Sequence, residues 1–64
     1  MTESYLMGIK DGRSDFKKYG MEFATDEYEN CKETARLFSS DSEVGQYIRG
    51  MRDFWKNQLK IHKL

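Results

Sequence analysis

The chain repeats itself once. Tyr5-Leu6-Met7-Gly8-Ile9-Lys10-Asp11 near the start returns near the end as Tyr47-Ile48-Arg49-Gly50-Met51-Arg52-Asp53. Both copies read aromatic, aliphatic, any residue, glycine, aliphatic, cation, aspartate, and both lie in stretches with helical rhythm. Glycine inside a helix costs about 1 kcal/mol relative to alanine. Gly8 and Gly12 form a GxxxG spacing in the first stretch, and Gly45 and Gly50 fall in the last. Three such glycines in helix interiors cost roughly 3 kcal/mol, against a net stability of about 3–10 kcal/mol for a domain this small. The two are comparable, so the glycines are expected where a bulkier side chain would clash. That means a close helix–helix seam, within the chain or across a dimer. A poorly optimised sequence is the alternative. Only Tyr, Gly and Asp are identical between the copies, which favours common packing over ancient duplication.

The spacing of apolar residues fixes the rest of the fold class. Tyr5, Ile9, Gly12, Phe16 and Tyr19 recur at threes and fours, the period of one helical face. Thr2 suits the N-cap, Glu3 the first turn, and Lys17 and Lys18 the last. Gly20 suits the left-handed residue that stops the helix, with Phe16 and Met21 as the apolar pair beside it. Ala24, Tyr28, Cys31, Ala35 and Phe38 repeat the rhythm, with Thr25 as a candidate cap and Glu22 as an earlier start. Ser39-Ser40-Asp41-Ser42 then breaks it, and Ser40 with Glu43 has the spacing of a capping box. Val44, Tyr47, Ile48, Met51, Phe54, Trp55 and Ile61 share a wide face of a third, longer helix.

The prediction is an all-α, compact three-helix mini-domain, a helical hairpin plus a long C-terminal helix, over residues 1–64, with helices at roughly 3–19, 22–38 and 42–62. Its expected core is Tyr5, Ile9, Phe16, Tyr28, Cys31, Ala35, Phe38, Val44, Ile48, Met51 and Trp55. A chain of 64 residues buries only about 60% of the surface its unfolded form exposes. It therefore wants a staple. Cys31 is alone, so a disulfide within the chain is excluded, and Cys31 with His62 gives no metal-ligand spacing. Self-association remains, most simply as a homodimer. The candidate seam or dimer contacts are Gly8, Gly12, Gly50, Phe54 and Trp55. The adjacent Phe54 and Trp55 are not both expected at the centre of one bundle, so one is expected to anchor a partner.

Lys plus Arg equals Asp plus Glu, eleven each, so no overall charge draws the chain to nucleic acid or anionic lipid. No window has the apolar length of a membrane span, and no signal peptide precedes Glu3. The chain reads as a complete small cytoplasmic protein. Arg49, Arg52, Lys56, Lys60 and Lys63 nevertheless form a basic ridge on the last helix, and Glu22, Asp26, Glu27, Glu29 and Glu33 an acidic stripe on the second. The ridge could track phosphates or an acidic partner. The plainer reading sets it as a solvated face opposite the acidic stripe. A helix-turn-helix arrangement would bring Asp41 and Glu43 to the phosphates first, which argues against base readout. Cys31 reads as a small buried hydrophobe and His62 as a solvated terminal residue. The sequence holds no acid–base pair, nucleophile triad or phosphate loop, so no cofactor is expected and enzyme is the least favoured class.

The glycine-punctuated, Tyr-rich opening Tyr5-Leu6-Met7-Gly8-Ile9-Lys10-Asp11-Gly12-Arg13 resembles the small early proteins of lambdoid bacteriophages, in particular the short reading frames between exonuclease and excisionase genes. The resemblance covers mainly residues 3–20. It implies an accessory protein made early in infection, acting on an unidentified host protein to influence host physiology or the lysis–lysogeny decision. It carries over no catalytic residue.

Overall fold

A computed structural model describes residues 2–62. They form three helices and, among the described residues, no strand: α1 (Glu3–Tyr19), α2 (Ala24–Ala35) and α3 (Glu43–Ile61). Helix α1 has the expected bounds. Thr2 Oγ1 accepts a hydrogen bond from the Tyr5 N–H at 3.1 Å, and Glu3 and Lys17-Lys18 sit at the ends the helix dipole favours. At its far end Gly20 takes φ 65°, and its N–H donates to the Phe16 carbonyl at 2.7 Å. A side chain at Gly20 would meet open space, so the backbone conformation is what calls for glycine there.

Helix α2 is shorter than the apolar spacing suggested. It starts at Ala24, one residue before Thr25, with Phe23 in the cap position and no side-chain cap bond. It stops at Ala35 because α3 takes its last carbonyls. The Arg49 guanidinium donates to the carbonyls of Ala35 at 3.1 Å and Phe38 at 3.3 Å, acceptors that a continuing helix would use itself. The backbone tightens accordingly, with N–H groups of Arg36 and Leu37 bonding three residues back to Glu33 and Thr34. The expected box of Ser40 and Glu43 is replaced by a cap two residues on. Ser42 Oγ accepts from the Gly45 N–H at 2.9 Å and donates to the Ser39 carbonyl at 2.8 Å. One serine thus serves both the turn and the helix start.

Helix α3 is the shared partner: α1 and α2 both pack on it and scarcely touch each other. Helices α1 and α3 run parallel. Thr2 meets Gln46, Gly8 meets Tyr47 and Met51, Gly12 meets Phe54, and Phe16 meets Trp55 and His62, so partner numbers rise together. Helix α2 returns antiparallel along another flank of α3.

Two neighbours require two buried faces on α3, and this corrects the expectation for Phe54 and Trp55. Both are in the core, at 9% and 1% exposure, with ring centroids 5.3 Å apart and edge to face. Phe16 stacks edge-on against both. Neither ring is left over for a partner. Of the other expected core residues, Cys31 and Ala35 are buried, and Tyr5, Ile9, Phe16, Tyr28, Ile48 and Met51 are half-buried. Phe38 and Val44 are exposed, at 39% and 50%. Phe38 lies past the end of α2 and Val44 in the first turn of α3, where no second helix covers them. Ala24, Met21 and Leu59 pack in the core instead.

Candidate functional site

The seam between α1 and α3 is built by the repeated heptapeptide. A methyl group on Gly8 would run into the carbonyl oxygen of Tyr47 and lie 2.9 Å from the Met51 nitrogen. On Gly50 it would run into the carbonyl oxygen of Tyr5 and lie 3.2 Å from the Ile9 nitrogen. Each glycine thus receives the backbone of the other helix. The aspartates complete the symmetry: the Tyr5 hydroxyl donates to Asp53 Oδ2 at 2.5 Å, and the Tyr47 hydroxyl donates to Asp11 Oδ2. Tyr5 and Tyr47, Gly8 and Gly50, Asp11 and Asp53 therefore occupy equivalent places about a local twofold axis between the helices. The echo breaks at Gly12, whose counterpart in α3 is Phe54. A methyl on Gly12 would lie 2.8 Å from Phe54 Cδ2, so Gly12 makes room for that ring.

The hydrogen bond that Tyr47 donates to Asp11, followed by burial, pushes the Tyr47 hydroxyl up to about 12, and the bond that Tyr5 donates to Asp53 raises Tyr5 in the same sense. Both phenols stay protonated and act as donors. Burial, then the charge of Glu27, pushes the Cys31 thiol up to about 11. A thiol so held is a poor nucleophile. The buried Trp55 Nε1 has no hydrogen-bond partner among the described residues. Among the described residues no three His, Cys, Asp or Glu side chains are placed to hold a metal ion.

Gly8, Gly12, Gly50, Phe54 and Trp55 thus all lie in contacts within one chain, where the two echo helices serve as each other's partner. The basic ridge is divided. Arg49 holds the end of α2, and Arg52 pairs with Asp53 Oδ1 through Nε at 3.0 Å and Nη2 at 2.9 Å. Lys56 and Lys60 remain exposed, and Lys63 lies outside the described residues. The expected facing of the ridge and the acidic stripe gives no ion pair. Among the described residues the two ion pairs are Arg52–Asp53 and the exposed Arg36–Glu33.

Two surfaces emerge that the spacing of α3 alone did not reveal. One is the end of the molecule where α1 and α3 begin and α2 finishes. Leu37 there is 80% exposed, Phe38 next to it in the chain is exposed too, and Val44, Leu6 and Met7 near the starts of their helices are each 50% exposed. Compared with known proteins, the chain matches no family model, no curated protein and no solved structure. The other surface is the open groove on the side of the seam away from α2, lined by Tyr5, Ile9, Arg13, Asp53, Phe54 and Asn57. It is the twofold counterpart of the side that α2 covers. Where α3 presents Trp55 to α2, α1 presents the exposed Arg13. The spacing of Lys10, Arg13 and Lys17, three and four residues apart along α1, is the sequence signal for this face.

No helix of the described residues is long and apolar enough to cross a membrane.

Proposed function

We propose that the chain is a non-enzymatic interaction protein that holds a protein partner by its apolar end. Leu37 carries the reading: a leucine left 80% in water in so small a molecule, with Phe38 beside it and Val44, Leu6 and Met7 at the same end. Leu37 and Phe38, adjacent and left in water past the end of α2, offer a partner apolar surface to bury. Burying one leucine against a partner contributes about 1.5–3 kcal/mol, so three or four together supply a useful affinity. The partner class we propose is a host bacterial protein, the one that the likeness to small early phage proteins implies, with a regulatory effect as the outcome. The same end is available to a second copy of the chain.

The test is affinity capture from bacterial lysate with the wild type and with Leu37→Asp. Leu37 supports no core contact, so the variant is expected to keep its helical circular dichroism and lose the captured protein. Capture of the same protein by both would remove the apolar end from the reading.

A further inference from the structure

We propose that the face formed by α1 and the second half of α3 binds the phosphate backbone of duplex nucleic acid without reading its bases. Three shallow openings run together across this face. Lys10, Arg13 and Lys17 line the first, on α1. Arg13 also borders the open seam groove, which shares Asp53 and Asn57 with the third opening, between Lys56 and Lys60 on α3. Five cations therefore frame one surface. All five are exposed, and none makes an ion pair or side-chain hydrogen bond with the described residues. One carboxylate, Asp53, lies among them. Its charge is already engaged by the Arg52 guanidinium at 2.9 Å and the Tyr5 hydroxyl at 2.5 Å. Of the other acids, Glu3, Asp11 and Asp15 lie on α1 but line none of the three openings, and Asp26, Glu29 and Glu33 are exposed on α2. The molecule is neutral as a whole and two-sided in charge, and the sum hides the surface potential that steers a polyanion.

The chemistry of the face selects the occupant. A protein helix needs apolar surface to bury, and none of the large exposed apolar side chains lines these openings. Single strands are held largely by stacking bases on exposed rings. Here Phe54 is buried and the Tyr5 hydroxyl is tied to Asp53, so no ring is free to stack. What remains is a row of cations about 10 Å long on α1, with Lys56 and Lys60 on α3 at the other side of the groove, a pattern that suits phosphates. Base readout has no element to perform it, because the first turn of α3 carries Glu43 and no cation.

The test is fluorescence anisotropy with a labelled DNA duplex of arbitrary sequence, about 20 base pairs long, in roughly 20–200 mM salt. Five phosphate contacts predict a log–log salt slope of about −4.5, a loss of about 500-fold in affinity between about 50 and 200 mM. Lys17→Glu is expected to weaken low-salt binding several-fold and to reduce the slope by about 1. Lys56→Glu should do the same from the other helix. Lys32→Glu makes an equal change in net charge on exposed α2 and is expected to leave the slope unaltered. Leu37→Asp should bind duplex as the wild type does, which separates this face from the apolar end. Absence of any anisotropy change at the lowest salt would overturn the proposal. So would an equal loss with Lys32→Glu and Lys17→Glu, which would reduce binding to overall charge. Poly-glutamate displacing the probe as well as unlabelled duplex would transfer the face to an acidic protein.

Discussion

Tyr47 and Tyr5 each convert a helix crossing into a fixed register, because each phenol bonds a carboxylate six residues further along the facing helix than its twofold counterpart. A hydrogen bond to a charged acceptor contributes about 1.5–3 kcal/mol when buried and less where water competes. Tyr47→Phe and Tyr5→Phe are each expected to cost about 1 kcal/mol in urea denaturation. The Tyr47 contribution depends on pH in a definite direction. Above its usual value of 10.0 the unfolded phenol releases its proton while the folded one holds it up to about 12. The unfolded state then binds fewer protons, so stability falls as pH rises. The gap between wild type and Tyr47→Phe should be constant below pH 10.0 and close by about pH 12. A gap that persists beyond that would remove the Asp11 bond from the account. At Cys31 the raised thiol predicts slow labelling by a disulfide reagent at neutral pH, and fast labelling once urea unfolds the chain.

At the scale of the element, the sign of a glycine substitution separates packing from poor optimisation. Alanine at Gly8 or Gly50 gains about 1 kcal/mol of helix propensity. It also drives a methyl into a carbonyl of the facing backbone, which has no rotamer by which to retreat. Overpacking costs typically about 1–3 kcal/mol, and a backbone neighbour belongs at the upper end. Gly8→Ala and Gly50→Ala are therefore expected to lower stability by about 1–2 kcal/mol net. A stabilised variant would show that the helices do not approach so closely. The caps make a milder comparison: Thr2→Ala and Ser42→Ala should each cost about 1 kcal/mol. The element ends also show how far local signals reach. Helix α1 was legible to the residue because Thr2, Glu3, Lys18 and Gly20 all act within one turn. Helix α2 was overrun because its end is set by Arg49, far along the chain, and the cap of α3 was misplaced among four residues that can all cap.

At the scale of the whole molecule, α3 is the component on which everything depends. Helices α1 and α2 scarcely touch each other, so neither has a core without it. Trp55→Ala removes the most deeply buried large side chain, at 1% exposure. The expected loss of about 3–5 kcal/mol rivals the stability of so small a domain. The variant should lose its thermal transition, whereas Leu37→Asp should keep it. Because the α1–α3 seam joins the two ends of the chain, deleting residues 1–20 should abolish the helical signal of the remainder rather than leave an α2–α3 pair. A folded remainder would show that α2 and α3 suffice.

What the sequence determined was local or periodic. Helical class, three elements, the bounds of α1 and the need for close packing at the glycines all follow from spacing and from backbone energetics within a few turns. The tertiary structure decided which helix each glycine meets. It also decided that α1 and α3 run parallel about a local twofold, and that one helix buries two adjacent rings by standing between two neighbours. It divided the cations of α3 between structure and solvent, and it joined Lys56 and Lys60 to Lys10, Arg13 and Lys17 on a single face. These are relations between residues far apart in the chain. The hydrophobic burial and backbone contact that select them exist only once the helices have met.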